Sequence, residues 1–139
     1  MTSQKGFTII ELLVVIAIIA VLAGIVLVNV TSYINKGKDA AIKGNLSTMM
    51  VNAAIHFDTN GRYDSPNFCT TSGYTVPEAA AVAAGSANPV EICALSAFCS
   101  CATLKTGTNQ TYCVDSTGYK KQTGTVCSTR CPAAGGCVD

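Results

Sequence analysis

From Phe7 to Val30 the chain is an apolar run in which Glu11 is the one charged residue, and Leu12 to Val28 contains no polar side chain at all. A segment apolar on every side suits either a bilayer or the centre of a bundle of helices. Length assigns it to helix, because 24 residues exceed any ordinary strand. At about 1.5 Å per residue it measures roughly 36 Å, enough for a hydrocarbon core of about 30 Å with some tilt. The β-branched residues Val14, Val15, Ile16, Ile18 and Ile19 are poor formers of an isolated aqueous helix but acceptable in lipid or packed protein.

Beyond Val30 the pattern changes. Ile42, Leu46, Met49, Ala53 and Phe57 recur at spacings of three and four, one apolar stripe on an otherwise polar helix. Lys36, Lys38, Asp39, Lys43, Asn45 and Asn52 are placed on its other faces. Residues 7 to about 57 therefore read as one long helix, ended by the turn chemistry of Asn60-Gly61. Asp58, Asn60 and Asp64 offer oxygen ligands, but the spacing lacks the later glutamate of a calcium loop, so the reading is a solvated turn.

The remaining pattern is short and mixed. Pro77 to Ala84, closed by Gly85, predicts a short helix with proline in its first turn. Strands are expected at 97–104, 111–115 and 119–122, joined by turns at Thr106-Gly107 and Ser116-Thr117-Gly118, giving a three-stranded antiparallel sheet. Val126 to Asp139 has too few core residues to order itself and is expected as a disulfide-tied loop. The fold class is α+β: a long N-terminal helix packed on a small disulfide-rich antiparallel sheet.

Cysteine changes the stability argument. About 80 residues follow the long helix, a size at which a hydrophobic core alone is marginal. All 8 cysteines, Cys69, Cys93, Cys99, Cys101, Cys113, Cys127, Cys131 and Cys137, lie in that part. An even count confined to one segment points to disulfides in an oxidising compartment, with the pairing open. No Cys-x-x-Cys pair is present and the single histidine, His56, falls on the helix, so neither a metal site nor a cofactor is expected. No nucleophile, base and orienting group form a catalytic pattern, and no glycine-rich phosphate loop occurs; the chain does not read as an enzyme. With 9 basic and 8 acidic residues it lacks the charge excess of a nonspecific nucleic-acid binder.

Glu11 is the most informative residue. A charge in hydrocarbon costs roughly 2.5–3.5 kcal/mol, so a plain membrane anchor gains nothing from it. A secretory signal has an apolar core of only about 7–15 residues, and here apolar sequence continues well past the possible cleavage site at Val21-Leu22-Ala23. Gly6-Phe7-Thr8-Ile9-Ile10-Glu11, following a short polar leader and preceding an unbroken apolar helix, resembles the processing site of type IV pilins and pseudopilins.

That resemblance implies cleavage between Gly6 and Phe7 by a prepilin peptidase, N-methylation of Phe7, and pairing of Glu11 with the Phe7 amine of a neighbouring copy during assembly. It divides the chain into a leader at 1–6, a transmembrane and filament-core helix at 7–30, an amphipathic helix at 31–57 and a cysteine-rich head at 58–139. The segment Tyr112 to Tyr119 resembles a strand-turn-strand piece of many bacterial pilin-like heads. Where many such chains carry glycine and proline in the apolar helix, this one has Ala20 and Val28, so a continuous helix is expected. The implied function is a structural pilus subunit whose partners are copies of itself, the peptidase, the assembly machinery and the inner membrane. It would sit as a single-pass protein in that membrane before assembly and in an extracellular pilus afterwards. A pseudopilin of type II secretion and a membrane-anchored cysteine-rich binding domain remain as alternatives.

Overall fold

The structure, a computed structural model, describes residues 6–87, 89–132 and 135–138. Helix α1 spans Ile9–Asn60, and within it the chain divides after Ile34 into two units. The expected leader lies outside the described residues except for Gly6.

In the first unit the apolar side chains face outward. Ile9 is 83% and Leu22 57% exposed, and none of the described apolar side chains of this segment is buried within its own unit. It is long and apolar enough to cross a membrane. Exposure of this much aliphatic surface is unfavourable in water by roughly 25 cal/mol per Å2.

The second unit contains the rest of α1, a 3-10 turn at Phe68–Thr70, α2 at Ser72–Ala83, four strands, and α3 at Cys127–Arg130. Strands β1 (Val90–Cys93), β2 (Phe98–Thr103), β3 (Thr111–Asp115) and β4 (Lys120–Thr123) form one antiparallel sheet in the order β1-β2-β3-β4. The α+β class is borne out, with one strand more than expected. The missed strand, Val90-Glu91-Ile92-Cys93, does alternate, but over only four residues.

Alternation gives the sheet two different faces. On one, Phe98, Ala102 and Val114 pack with Ile42, Leu46, Met49 and Ala53 of α1, and Phe68 and Tyr74 complete the core. On the other, Cys99, Cys101 and Cys113 are covered by α3 and the C-terminal segment. The aromatic rings of Phe68, Tyr74 and Phe98 meet edge to face at 5.2–6.2 Å.

Three further expectations are corrected. Phe57 belongs to the rim, 37% exposed and stacked at 4.9 Å on Tyr63, because the stripe rotates off the core in the last turn. Asp39 is not on a solvent face; it is buried at 4% exposure. Helix α2 starts five residues before Pro77, which therefore lies inside it. Proline lacks the N–H that would bond the Gly73 carbonyl one turn back. The Asn52 side chain of α1 donates to that carbonyl at 2.8 Å, which is why the helix tolerates the proline.

Candidate functional site

The N-terminal motif is built on the first turn of α1. Thr8 precedes the helix, and its carbonyl accepts from Leu12 N. Glu11 Oε2 accepts from both the Thr8 amide and the Thr8 hydroxyl at 2.8 Å, while Glu11 N donates to Thr8 Oγ1 at 3.3 Å. This is a reciprocal capping box, satisfying donors that a helix start leaves without partners.

The expectation for Glu11 concerns assembly and does not include Thr8, its local partner in the structure. The signal was present: Thr-x-x-Glu directly before an apolar run is a capping signature. In the uncleaved chain Phe7 N is a peptide nitrogen, and the Phe7 side chain is 77% exposed. Gly6 and Phe7 precede the helix in exposed, irregular backbone. Cleavage there would leave an α-amine one turn from a carboxylate already held in place by Thr8.

In the second unit all eight cysteines are bonded: Cys69–Cys93, Cys99–Cys131, Cys101–Cys127 and Cys113–Cys137. The first ties the turn before α2 to β1. The other three fasten α3 and the C-terminal segment onto β2 and β3. The sulfurs of Cys99, Cys113, Cys131 and Cys137 lie within 4.8 Å of one another. As disulfides they carry no thiolate charge with which to hold a metal.

The C-terminal stretch is more than a tied loop. Arg130 of α3 is fully buried, donating to the carbonyls of Val138 and Lys121 and to the Tyr119 hydroxyl at 2.8–3.1 Å, with its guanidinium 5.7 Å from the Tyr119 ring. Asp115 shapes the β3–β4 turn by accepting from Thr117 N and Oγ1 and from Tyr119 N, and it also takes Cys137 N at 2.8 Å. Gly118, at φ +88°, completes that turn in a conformation that glycine adopts without strain.

His56 and the acidic turn play local parts. His56 Nε2 donates to the Pro66 carbonyl at 3.0 Å, and its ring lies 5.3 Å from Phe68. Asp64 forms a bidentate pair with Arg62 at 2.6 and 2.8 Å. The guanidinium keeps the Asp64 carboxyl below the ordinary range. Asn60 is turned back onto the His56 carbonyl.

Residues 1–27 match the family model described as the prokaryotic N-terminal methylation motif. The chain is 49% identical over 47 residues to the type IV major alpha-pilin of Moraxella bovis, covering 34% of this chain and 30% of that protein. Fimbrial protein Q of Moraxella bovis matches to the same extent. The type IV wide pilus major component PilA4 of Thermus thermophilus is 34% identical over 85 residues, 61% of this chain and 56% of the relative. The matches thus span about a third of the Moraxella relatives and just over half of the Thermus one. No solved structure matches the chain significantly.

Proposed function

We propose that the chain is a member of the type IV pilin family, a structural, non-enzymatic subunit of a type IV pilus-like filament. The supporting observation is the conjunction at the N-terminus: Gly6-Phe7 in open backbone, Glu11 one turn away, and a following helix whose apolar surface its own unit leaves uncovered. Such a surface is stable in a membrane or against identical helices, and a precursor subunit visits both in turn.

In this reading the peptidase cuts after Gly6 and the new Phe7 amine is N-methylated. Glu11 is then drawn from its Thr8 cap to the Phe7 amine of an adjacent copy. In a low-dielectric filament core an unpaired carboxylate is costly, so only a register that supplies the amine is favourable. The disulfide-tied second unit is exported and carried on the filament surface, where protease and shear resistance matter. Adhesion, motility and uptake are the roles open to such a pilus.

The mature N-terminus tests the reading. Mass spectrometry is expected to find Phe7 as first residue with one added methyl group, and electron microscopy to find surface filaments that deletion abolishes. A chain that keeps residues 1–6 in its working form refutes it. A secretion defect without filaments would instead identify a pseudopilin.

A further inference from the structure

One row of residues crosses the whole sheet. Glu91 of β1 pairs with Ser100 of β2, Ser100 with Val114 of β3, and Val114 with Lys120 of β4. Residues in register share a face, and Val114 places this row on the side packed against α1. The interior of the row is buried, whereas both ends are exposed and carry opposite charges. Three strand spacings of about 4.8 Å put the ends roughly 14 Å apart, too far for an ion pair within one chain.

Each end has supporting charge. Beside Glu91, Glu78 of α2 feels the Glu91 carboxylate as a like-charged neighbour. On the same face as Lys120 stands Lys43 of α1, which donates to Gln122 Oε1 of β4, two residues along the strand, at 2.7 Å. The sheet thus has an acidic edge at β1 and a basic edge at β4, and these are its two outer strands.

We propose that the Glu91 edge of one copy docks on the Lys120 edge of the next, so that heads contact each other in one direction along the assembly. The contact rests on the pilin reading above. Two acidic or two basic edges repel, which excludes a symmetric pairing through either edge. A head-to-tail contact remains, and when its rotation does not close into a ring it builds an open helical array. The uniform apolar helix attracts its neighbours without direction. Opposed charged edges add to the axial register proposed for Glu11 a penalty for wrong rotational placement of the heads.

Wild-type filaments treated with a carbodiimide supply a direct test. The reagent activates a carboxylate, the lysine ε-amine attacks, an amide forms, and the reagent leaves as a urea carrying the lost oxygen. A Glu91–Lys120 cross-linked peptide is expected in filaments and absent from detergent-dispersed monomers. In parallel, Glu91→Lys and Lys120→Glu are each expected to cut filament yield roughly fivefold at low salt, and the double reversal to restore it. Filaments lacking that cross-link, with yields unchanged in both single variants, overturn the edge contact while leaving the pilin reading intact. A wild-type chain that forms no filament removes the pilin reading and this contact with it. If a single variant fails to fold, as judged by its disulfide map, the wild-type cross-link decides.

Discussion

Thr106, in the loop between β2 and β3, donates both its amide and its hydroxyl to one carboxylate oxygen of Asp39 on α1, while the Lys105 amide takes the other oxygen. This buried carboxylate fixes the loop to the helix across 67 residues of sequence. Asp39→Ala leaves those donors without partners and is expected to lower stability by about 1–3 kcal/mol. Asp39→Asn, which keeps one acceptor, is expected to cost less. Denaturant midpoints of the two variants give the comparison.

Asn52 and Pro77 form a second coupled pair, linked through the Gly73 carbonyl. Asn52→Ala is expected to cost about 0.5–1.5 kcal/mol, the usual net value of a hydrogen bond. In a Pro77→Ala background the restored N–H takes over the carbonyl, and the same substitution should cost less. A double-mutant cycle measures the difference; simple additivity would show that the two residues do not share that acceptor.

At the N-terminus, Glu11→Gln separates the Thr8 cap from the pairing with a neighbouring amine proposed above. The amide retains an acceptor for Thr8 but carries no charge for a neighbouring amine. Hydrogen exchange of the first turn in detergent is expected to stay near wild type, whereas filament yield collapses. Thr8→Ala should do the reverse to exchange, loosening the turn by about 0.5–2 kcal/mol, the range for losing a helix cap.

Two carboxylates predict opposite pH dependences. Arg62 lowers the Asp64 pKa, so this pair stabilises the fold above the ordinary aspartate range and loses that contribution as pH falls through the folded value. Asp64→Asn is expected to differ most from wild type near neutrality and to converge with it in acid. Burial, then the Glu91 charge, raises the Glu78 pKa, so its ionisation costs stability as pH rises. Glu78→Gln should therefore gain on wild type between pH 4 and 7. Thermal melts across that range report both signs.

The Cys69–Cys93 bridge closes a loop with a sequence separation of 24. Replacing both cysteines with alanine is expected to cost about 2–4 kcal/mol, and the remaining three bridges should still form. Non-reducing peptide mapping is expected to recover Cys99–Cys131, Cys101–Cys127 and Cys113–Cys137. Scrambled pairing in this variant would mean that the first bridge directs the others.

Local rules served well where one interaction dominates. The stripe Ile42, Leu46, Met49 and Ala53 is buried as its spacing requires, and Gly61, at φ +71°, stops α1 where Asn60-Gly61 announced a turn. They served less well where a distant group changes the balance. Proline normally sits in a first turn, so the pattern places a short-helix start at Pro77, and no local signal reveals that Asn52 rescues the carbonyl. Asp39 looked like one more polar residue on an exposed face until the loop amides that need it were brought alongside. Arg130, in a stretch too poor in apolar residues to order itself, is buried because Tyr119 and two carbonyls accept one bond from each of its three side-chain nitrogens.

What the amino-acid order determined alone is the N-terminal pattern and the division of labour: an acid one turn from Phe7 in the Gly6-Phe7 motif, a helix apolar on all sides, and a cysteine-stapled remainder. These follow from residues within a few helical turns of each other, so pattern and spacing suffice. The disulfide pairing, the fourth strand, the buried Asp39 and Arg130, and the row from Glu91 to Lys120 were decided by tertiary structure. Each depends on which segments lie side by side, and that is settled by burial of the shared core rather than by any one segment's own preferences.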